Sequence, residues 1–461
     1  MRILLNHIVL FLSFYSGFAQ IFDVEAIQIS GDNNKRINLV ILSEGYQSTE
    51  LTDFIADVTN FTNDMFSQSP FSEYANYFNV YAVKVVSNES GTDHPGTATD
   101  VVEPISPITN VDTYFNTTFD YFNIHRLLYS TDHATISTVL ANNFPEYDQA
   151  LILVNSDVYG GSGGTFPFSS TGASASEIAI HELGHSLFDL KDEYYPGDAL
   201  AGEAINMTQE TNTSLVKWKN WIGINGIGIY AYGNSGTSAT WNRPHQTCKM
   251  RYLGFPFCSV CKEGMIEKIH DLVSPINSFS PVSTTIENPS FPIDFELTLL
   301  HPTNQDLERT WTLNGSIFSN DVDNISLSST DLNEGVNTLS AVVIDNNSYL
   351  KIDNHETIHV NTVTWTINYS TLGVENITSE ENAFKISMYP NPSSEFLNFK
   401  IESLTNSKFK IDLVSLDGKK VKSVKLNSFS KININRLTSG IYIANIYANN
   451  TLIAHKKFVK H

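Results

Sequence analysis

Cysteine is almost missing from this chain: Cys248, Cys258 and Cys261 are the only three among 461 residues. That excludes the disulfide-dense scaffolds in which cross-links replace a core, so stability must come from buried apolar surface. An odd count also leaves at least one thiol unpaired, bound to a metal or paired between chains. Positive charge is scarce too. There are 28 Lys and Arg against 49 Asp and Glu, a formal net charge of −21, which argues against nucleic acid as a partner. Long apolar runs are the third absence. Nothing reaches the roughly 18 uncharged apolar residues of a spanning helix, so no transmembrane segment is expected in the mature chain.

The opening, "MRILLNHIVLFLSFYSGFAQ", comes nearest to such a run. Arg2 gives a positive start, Ile8 to Phe14 a short apolar stretch, and Gly17-Phe18-Ala19 a small-residue cleavage pattern. Residues 1–19 therefore read as a secretory signal peptide, and the mature protein as a soluble, secreted monomer. Charge is also distributed unevenly. Residues 386–461 hold 12 Lys and Arg against 4 Asp and Glu, while the remainder holds 16 against 45. Such a shift marks a separate module.

Between these ends the pattern changes once. Residues 20–272 mix strand-like runs such as "RINLVILSEGYQ", "FNVYAVKVVS" and "QALILVNSDVYGGSGG" with helical spacing. In "TELTDFIADVTNFTNDMF" the apolar positions are Leu51, Phe54, Ile55, Val58, Phe61 and Met65, the stripe of a packed helix. From about residue 275 to 370, "PIDFELTLL", "RTWTLNGSIF", "NTLSAVVIDN" and "TIHVNTVTWTINYS" read as strands of a β-sandwich. A polar linker, 371–385, leads to a last small β module, 386–461.

The chemistry concentrates in "EIAIHELGHSLFDLKDEYY", Glu177 to Tyr195. On a helix, His181 and His185 lie on one face and present two imidazoles to one tetrahedral zinc. Glu182 sits beside that position, placed to take a proton from a zinc-bound water and pass it to a leaving amine. Apolar residues flank the motif at core spacing, so the helix is a buried one. Two histidines need a third ligand. The metzincin pattern HExxHxxGxxH has Phe188 at its glycine position here and Lys191 at its third-ligand position. Were the helix to continue, Asp192 would lie about 10.5 Å past His185 along the axis, out of reach of a zinc contact. Either the chain turns between Ser186 and Asp192, or the ligand comes from farther along. Asp192 is the first choice, Glu193 the longer-armed second, with Asp189 and Glu203 behind them.

"HELGHSLFDLKDEY" resembles the HExxH segment of the IgA-specific metallo-endopeptidases, the sixty-fourth metallopeptidase family. "INLVILSEGYQSTEL", "YFNVYAVKVVSNESGTDHP", "LILVNSDVYGGSGG" and "CKMRYLGFPFCSVC" are similar to further segments of it, so the resemblance covers about residues 36 to 265. "SEGY" and Phe188 depart from its commonest pattern. The resemblance implies a zinc endopeptidase with an α+β metzincin-like domain, and "KMRY" as the turn that puts Met250 beneath the metal. Tyr252, two residues on, is then the candidate that stabilises the oxyanion. "VNSDVYGGSGG" would lie along the cleft and offer an edge to substrate backbone.

For the thiols, a disulfide from Cys248 to Cys258 or Cys261 is expected in an exported protein. The alternatives are a second, structural zinc at the ribbon-like spacing of His245 and the three cysteines, and ordinary buried thiols. In the tail, "ISMYPNPSSEFLNFKI", "DGK", "RLTSGIYIANIY" and "HKKFVKH" resemble the C-terminal sorting domain of the type IX secretion system, found in Bacteroidetes. That resemblance implies a small β-sandwich read by the secretion machinery. The expected function is a secreted Zn²⁺-dependent endopeptidase acting on protein or peptide. The alternatives are a catalytically inactive surface binding protein and a zinc hydrolase of a non-peptide substrate.

Overall fold

Ile37–Glu44 (β2) is apolar at five of its eight positions, and all eight of its residues are buried. Alternate side chains of a strand point to opposite faces, so such a strand belongs mid-sheet between two cores. Leu39 and Ile41 enter one core, and Val40 and Leu42 the other. The structure, a computed structural model, describes residues 21–461 apart from Pro196, Asn354, 371–383, 404–407 and Ser428. The expected signal peptide and nearly all of the expected linker lie outside the described residues.

The first sheet has the order β1-β3-β2-β4-β6-β5. Its strands are Val24–Gln28 (β1), β2, Phe78–Val83 (β3), Gln149–Val154 (β4), Gly161–Ser162 (β5) and Phe168–Ser170 (β6). β3, β2, β4 and β6 run parallel, and β1 and β5 are antiparallel edges. Leu51–Phe66 (α1) buries Phe54, Val58, Phe61 and Met65 against one face. Each such side chain contributes about 1.5–3 kcal/mol on leaving water. His133–Asn143 (α2) covers the other face through Ile136, Val139 and Leu140. Ala175–Ser186 (α3) follows β6, and Ile178, Ala179, Ile180, His181, Leu183 and Gly184 are buried along it, as the apolar flanks predict.

After α3 the chain is largely irregular, with a short hairpin of Tyr230–Ala231 (β7) and Asn242–Arg243 (β8), until Ser259–Leu272 (α4). Then come Ile276–Ser280 (β9), Thr285–Glu287 (β10), Ile293–Leu299 (β11), Glu308–Leu313 (β12), Ser316–Asn320 (β13), Asn324–Leu327 (β14), Gly335–Ile344 (β15) and Asn361–Tyr369 (β16). They form a five-stranded sheet, β10-β16-β15-β12-β13, and a three-stranded one, β14-β11-β9. The inner faces meet at Trp365, which stacks on Trp311 with centroids 5.9 Å apart and takes the edge of Phe295 at 5.1 Å. Each indole N–H donates to a carbonyl, Trp311 to Val322 O and Trp365 to Pro281 O, as buried tryptophans require. The last expected strand starts later than its β-branched run suggested. His355–Ile358 is instead a short helix (α5), drawn into it by Glu267 of α4, which bonds His355 Nδ1 at 2.6 Å and also pairs with His359.

The chain divides into two compact units, one of residues to Leu332 with Asn337–Ile367, the other of Asn333–Val336 with Asn368–His461. The second is all β: Phe384–Tyr389 (β17), Phe396–Ser403 (β18), Phe409–Ser415 (β19), Lys420–Leu426 (β20), Phe429–Asn433 (β21), Gly440–Ala448 (β22) and Thr451–Lys460 (β23). Its sheets, β17-β18-β21 and β20-β19-β22-β23, enclose a core that includes Phe399, Ile411, Leu413, Ile446 and Phe458.

Candidate active site

The zinc-ligand question turns on how α3 ends. Its regular turns stop at Ser186, and Asp189 takes φ +56°. That is the left-handed exit usually given to glycine, which Asp tolerates better than most residues. The amide of Asp189 donates to His185 O (3.1 Å) and that of Leu190 to Gly184 O (2.9 Å). The chain is thereby folded back along its own helix. Asn206 holds the returning strand, accepting from Lys191 N (2.9 Å) and donating to Lys191 O (2.7 Å).

This turn brings Asp192 to the histidines. His181 Nε2, His185 Nε2 and Asp192 Oδ1 form a triangle with edges of 3.1, 3.2 and 3.2 Å. A tetrahedral zinc about 2.0–2.1 Å from each ligand would set those atoms about 3.3 Å apart, so the residues fit. The tautomers fit as well. His181 Nδ1 faces Lys249 O at 3.1 Å and His185 Nδ1 faces Leu190 O at 2.6 Å. A carbonyl only accepts, so each Nδ1 carries a proton, and each ring, once its Nε2 is deprotonated, turns a lone pair toward the Asp192 carboxylate. Three lone pairs aimed at one point repel unless a cation sits among them. In competition with protons, burial works against a charged His185, but the Asp192 carboxylate carries its pKa up to about 9. Asp192 is correspondingly held far below the usual carboxylate range, its burial outweighed by the two imidazoles.

Glu182 lies beside this triangle, with a carboxylate oxygen within 4.8 Å of both imidazole nitrogens. Burial pushes its pKa up, against the pull of His181 and His185. Gly163 leaves room for it: a Cβ there would lie 2.5 Å from Glu182 Oε2. Two cavities of about 480 and 820 Å³ adjoin at this carboxylate, sharing Arg126, Gly161, Glu182 and Tyr194. The first opens past Tyr252, which is 45% exposed and packs under the Arg251 guanidinium at 4.8 Å. Met250 packs against α3 at Gly184: a Cβ there would come within 2.8 Å of Met250 Sδ and force the thioether to shift.

Other candidates lie elsewhere. Glu193, the second choice for third ligand, points away from the histidines into a buried cluster, where Cys261 and Asn206 contact its Oε1, each at 3.2 Å. Successive residues of an extended segment face opposite ways, so Asp192 and Glu193 cannot serve the same ion. Asp189 is turned out to Lys268 (3.1 Å), and Glu203 pairs with Lys217 (2.5 Å). The expected disulfide is not present: all three cysteines are free and buried, because they converge on Glu193 rather than pairing off. His245, proposed as their fourth partner, instead receives the amide of Thr247 at 3.0 Å. The expected substrate edge is partly closed. Gly161 is bridged on its outer side by Leu127, its amide bonded to Arg126 O at 3.1 Å. Arg126, Tyr194 and Asn206 were not singled out from sequence. "KDEYY" contained Tyr194, but nothing local marked the other two. Glu44 of "SEGY" is structural, accepting from Thr113 Oγ1 (2.6 Å), Phe115 N (2.9 Å) and Thr117 N (3.1 Å).

Two imidazoles, a carboxylate and a second carboxylate in a cleft form a group that could hold a metal ion with an acid–base residue beside it. Residues 25–226 match the family described as IgA Peptidase M64, whose members are metallopeptidases. Residues 387–461 match the secretion system C-terminal sorting domain. Both resemblances seen in the sequence therefore hold, and the sorting domain marks the chain for type IX secretion to the cell surface or beyond. No helix among the described residues is long and apolar enough to cross a membrane. No curated protein matches the chain. Among solved structures, CbhA fibronectin(III)-like modules of Clostridium thermocellum are 8% identical, covering 20% of this chain and 94% of theirs, with a TM-score of 0.15. Dimeric latent PorU from Porphyromonas gingivalis is 13% identical over 40% of this chain and 20% of its own, with a TM-score of 0.16.

Proposed function

We propose that the protein is a secreted, zinc-dependent endopeptidase of metzincin-like design. In this reading, residues 20–272 form the catalytic domain, 275–370 a β-sandwich, 371–385 a linker and 386–461 the sorting domain read by the type IX machinery. The observation that carries it is the triangle of His181 Nε2, His185 Nε2 and Asp192 Oδ1, with both Nδ1 atoms fixed by carbonyls and Glu182 alongside. Two neutral imidazoles and one carboxylate suit zinc, with a fourth position left open for catalysis. When bound, zinc supplies the Lewis acid that polarises a scissile carbonyl and acidifies a water.

The chain supplies the rest. Glu182 takes the proton of the attacking water and returns it to the leaving amine. Lys249 O and Leu190 O keep both imidazoles in the ligating tautomer. Tyr252 and Arg126 line the cavity on the Glu182 side, where their donors would face a developing oxyanion. The two adjoining cavities accommodate an extended peptide on either side of the scissile bond.

Glu182→Gln in the full chain is the test. It is expected to retain metal and fold while losing about 10²–10⁴-fold in kcat on protein substrates and a peptide library. Undiminished hydrolysis by that variant would sink the mechanism. Absence of cleavage by the wild type across the library, with metal bound, would sink the peptidase reading.

A further inference from the structure

We propose that Cys248, Cys258, Cys261 and Glu193 form a second, structural metal site for a thiophilic divalent cation, zinc by preference. One ligand atom from each lies within 4.8 Å of all the others, and all four residues are buried. Cys248 Sγ and Cys261 Sγ are 3.6 Å apart, and Cys261 Sγ is 3.2 Å from Glu193 Oε1. With Zn–S near 2.3 Å and Zn–O near 2.0 Å, tetrahedral ligands would stand about 3.5–3.8 Å apart, so small adjustments suffice.

The second observation is Glu193 itself. It is 0% exposed, and its Oε2 has no hydrogen-bond partner among the described residues. An ionised carboxylate without a partner in such a place is costly. Arg243 is close enough for its charge to be felt, but its Nη1 donates to the carbonyls of Ala231 and Tyr232. Apart from Asn206, which donates to Oε1 at 3.2 Å, what surrounds Glu193 is three thiols, weak donors that become strong ligands on deprotonation. A divalent cation would neutralise half of the four negative charges. The N-terminus of the fourteen-residue α4, with Cys258 at its cap, favours the remainder.

The site would tie together three segments that build the catalytic centre. Glu193 follows Asp192, and its amide donates to Met250 O at 2.7 Å. Cys248 opens the turn that carries Lys249, whose carbonyl holds His181, and Met250. Cys258 and Cys261 anchor both to α4. The site is closed, with every ligand from protein, as structural zinc sites are.

Metal analysis of the full chain tests this without any activity measurement, and so independently of the peptidase reading. About two zinc per chain are expected in the wild type, with about one left in His185→Ala and about one in Cys261→Ser. Reconstitution with Co²⁺ should give a thiolate-to-cobalt charge-transfer band in the wild type and in His185→Ala, but not in Cys261→Ser. Because the comparison of wild type with His185→Ala leaves every thiol in place, a misfolded cysteine variant does not blunt the test. Loss of all zinc and of the band in His185→Ala would overturn the proposal. So would an intact mass showing two of the three cysteines resistant to alkylation until reduced, the mark of a disulfide.

Discussion

Two clusters of ligand-type side chains share the same two stretches of chain, Asp192–Glu193 and Cys248–Tyr252, and differ in what surrounds them. His181, His185 and Asp192 sit at the wall of a cleft, with side chains 8%, 22% and 16% exposed. The thiol cluster is sealed, with Glu193 and Cys261 at 0%. Beside the first stand the Glu182 carboxylate and two cavities; beside the second, among the described residues, stand Asn206, Arg243 and packed core. In the proposed reading, access and the neighbouring Glu182 carboxylate, rather than the chemistry of the ligand atoms, separate a reacting centre from a supporting one.

That contrast breaks most sharply at Asp192. Asp192→Asn is expected to release the cleft metal and lower hydrolysis by more than about 10²-fold, the scale of losing a mere supporting group. Metal held by the thiols should remain, as element analysis of the variant would reveal. Equal loss of both metals would mean the clusters are one cooperative unit. Gly163→Ala comes next. Its methyl would displace Glu182 while meeting the His185 ring only at van der Waals distance, 3.7 Å from Cδ2, so kcat should fall up to about 10²-fold, the scale of a 1 Å misplacement, at unchanged metal content and melting temperature. Tyr252→Phe removes a donor from the cleft side alone. A drop in kcat of about tenfold with KM steady would place it on the oxyanion; an unchanged kcat would leave it a packing residue.

The smallest effect belongs to a third cluster, which acts by hydrogen bonding and charge. Hydrogen bonds from His355 and His359 overcome burial and hold the Glu267 carboxyl down to about 2, while Glu267 outweighs burial to raise His355. The depressed Glu267 stabilises above its ordinary value of 4.5 and loses that as pH falls through about 2. The raised His355 stabilises below its ordinary 6.5 and loses that as pH rises through its folded value. Glu267→Gln should thus cost about 1 kcal/mol between those ordinary values, with the deficit in melting temperature narrowing toward alkaline pH. A deficit that stays constant into alkaline pH would rule out the charge pair.

The legible parts of this molecule were those whose cause is local. His181, Glu182 and His185 are set by helix periodicity alone, and β2 and α1 by the spacing of their apolar residues. Asp192 was legible only conditionally, because axial rise showed that a turn was needed but not where. The turn falls at Asp189, a residue that tolerates left-handed φ without advertising it as glycine does. The thiol cluster was misassigned because His245 lies near Cys248 in sequence, whereas Glu193 reaches it only through the fold. Arg126 belongs to a loop bridged to β5, and no spacing in the chain announces that. The boundary of β16 was misplaced because Thr357 and Ile358 look like strand, yet the buried pairing of Glu267 with His355 and His359 decides their conformation.

The back-folded stretch from Asp189 to Glu193 also acts as a ruler. Two adjacent carboxylates face opposite sides of it, one toward imidazoles and the other toward sulfurs. A single residue lost or gained between His185 and Asp192 would shift the phase and deliver each carboxylate to the wrong partner, damaging both clusters at once. The length of this segment is therefore fixed more tightly than its composition. Lys191, held at the site by its backbone through Asn206, is a position where side-chain identity is free to drift while the count of residues is not.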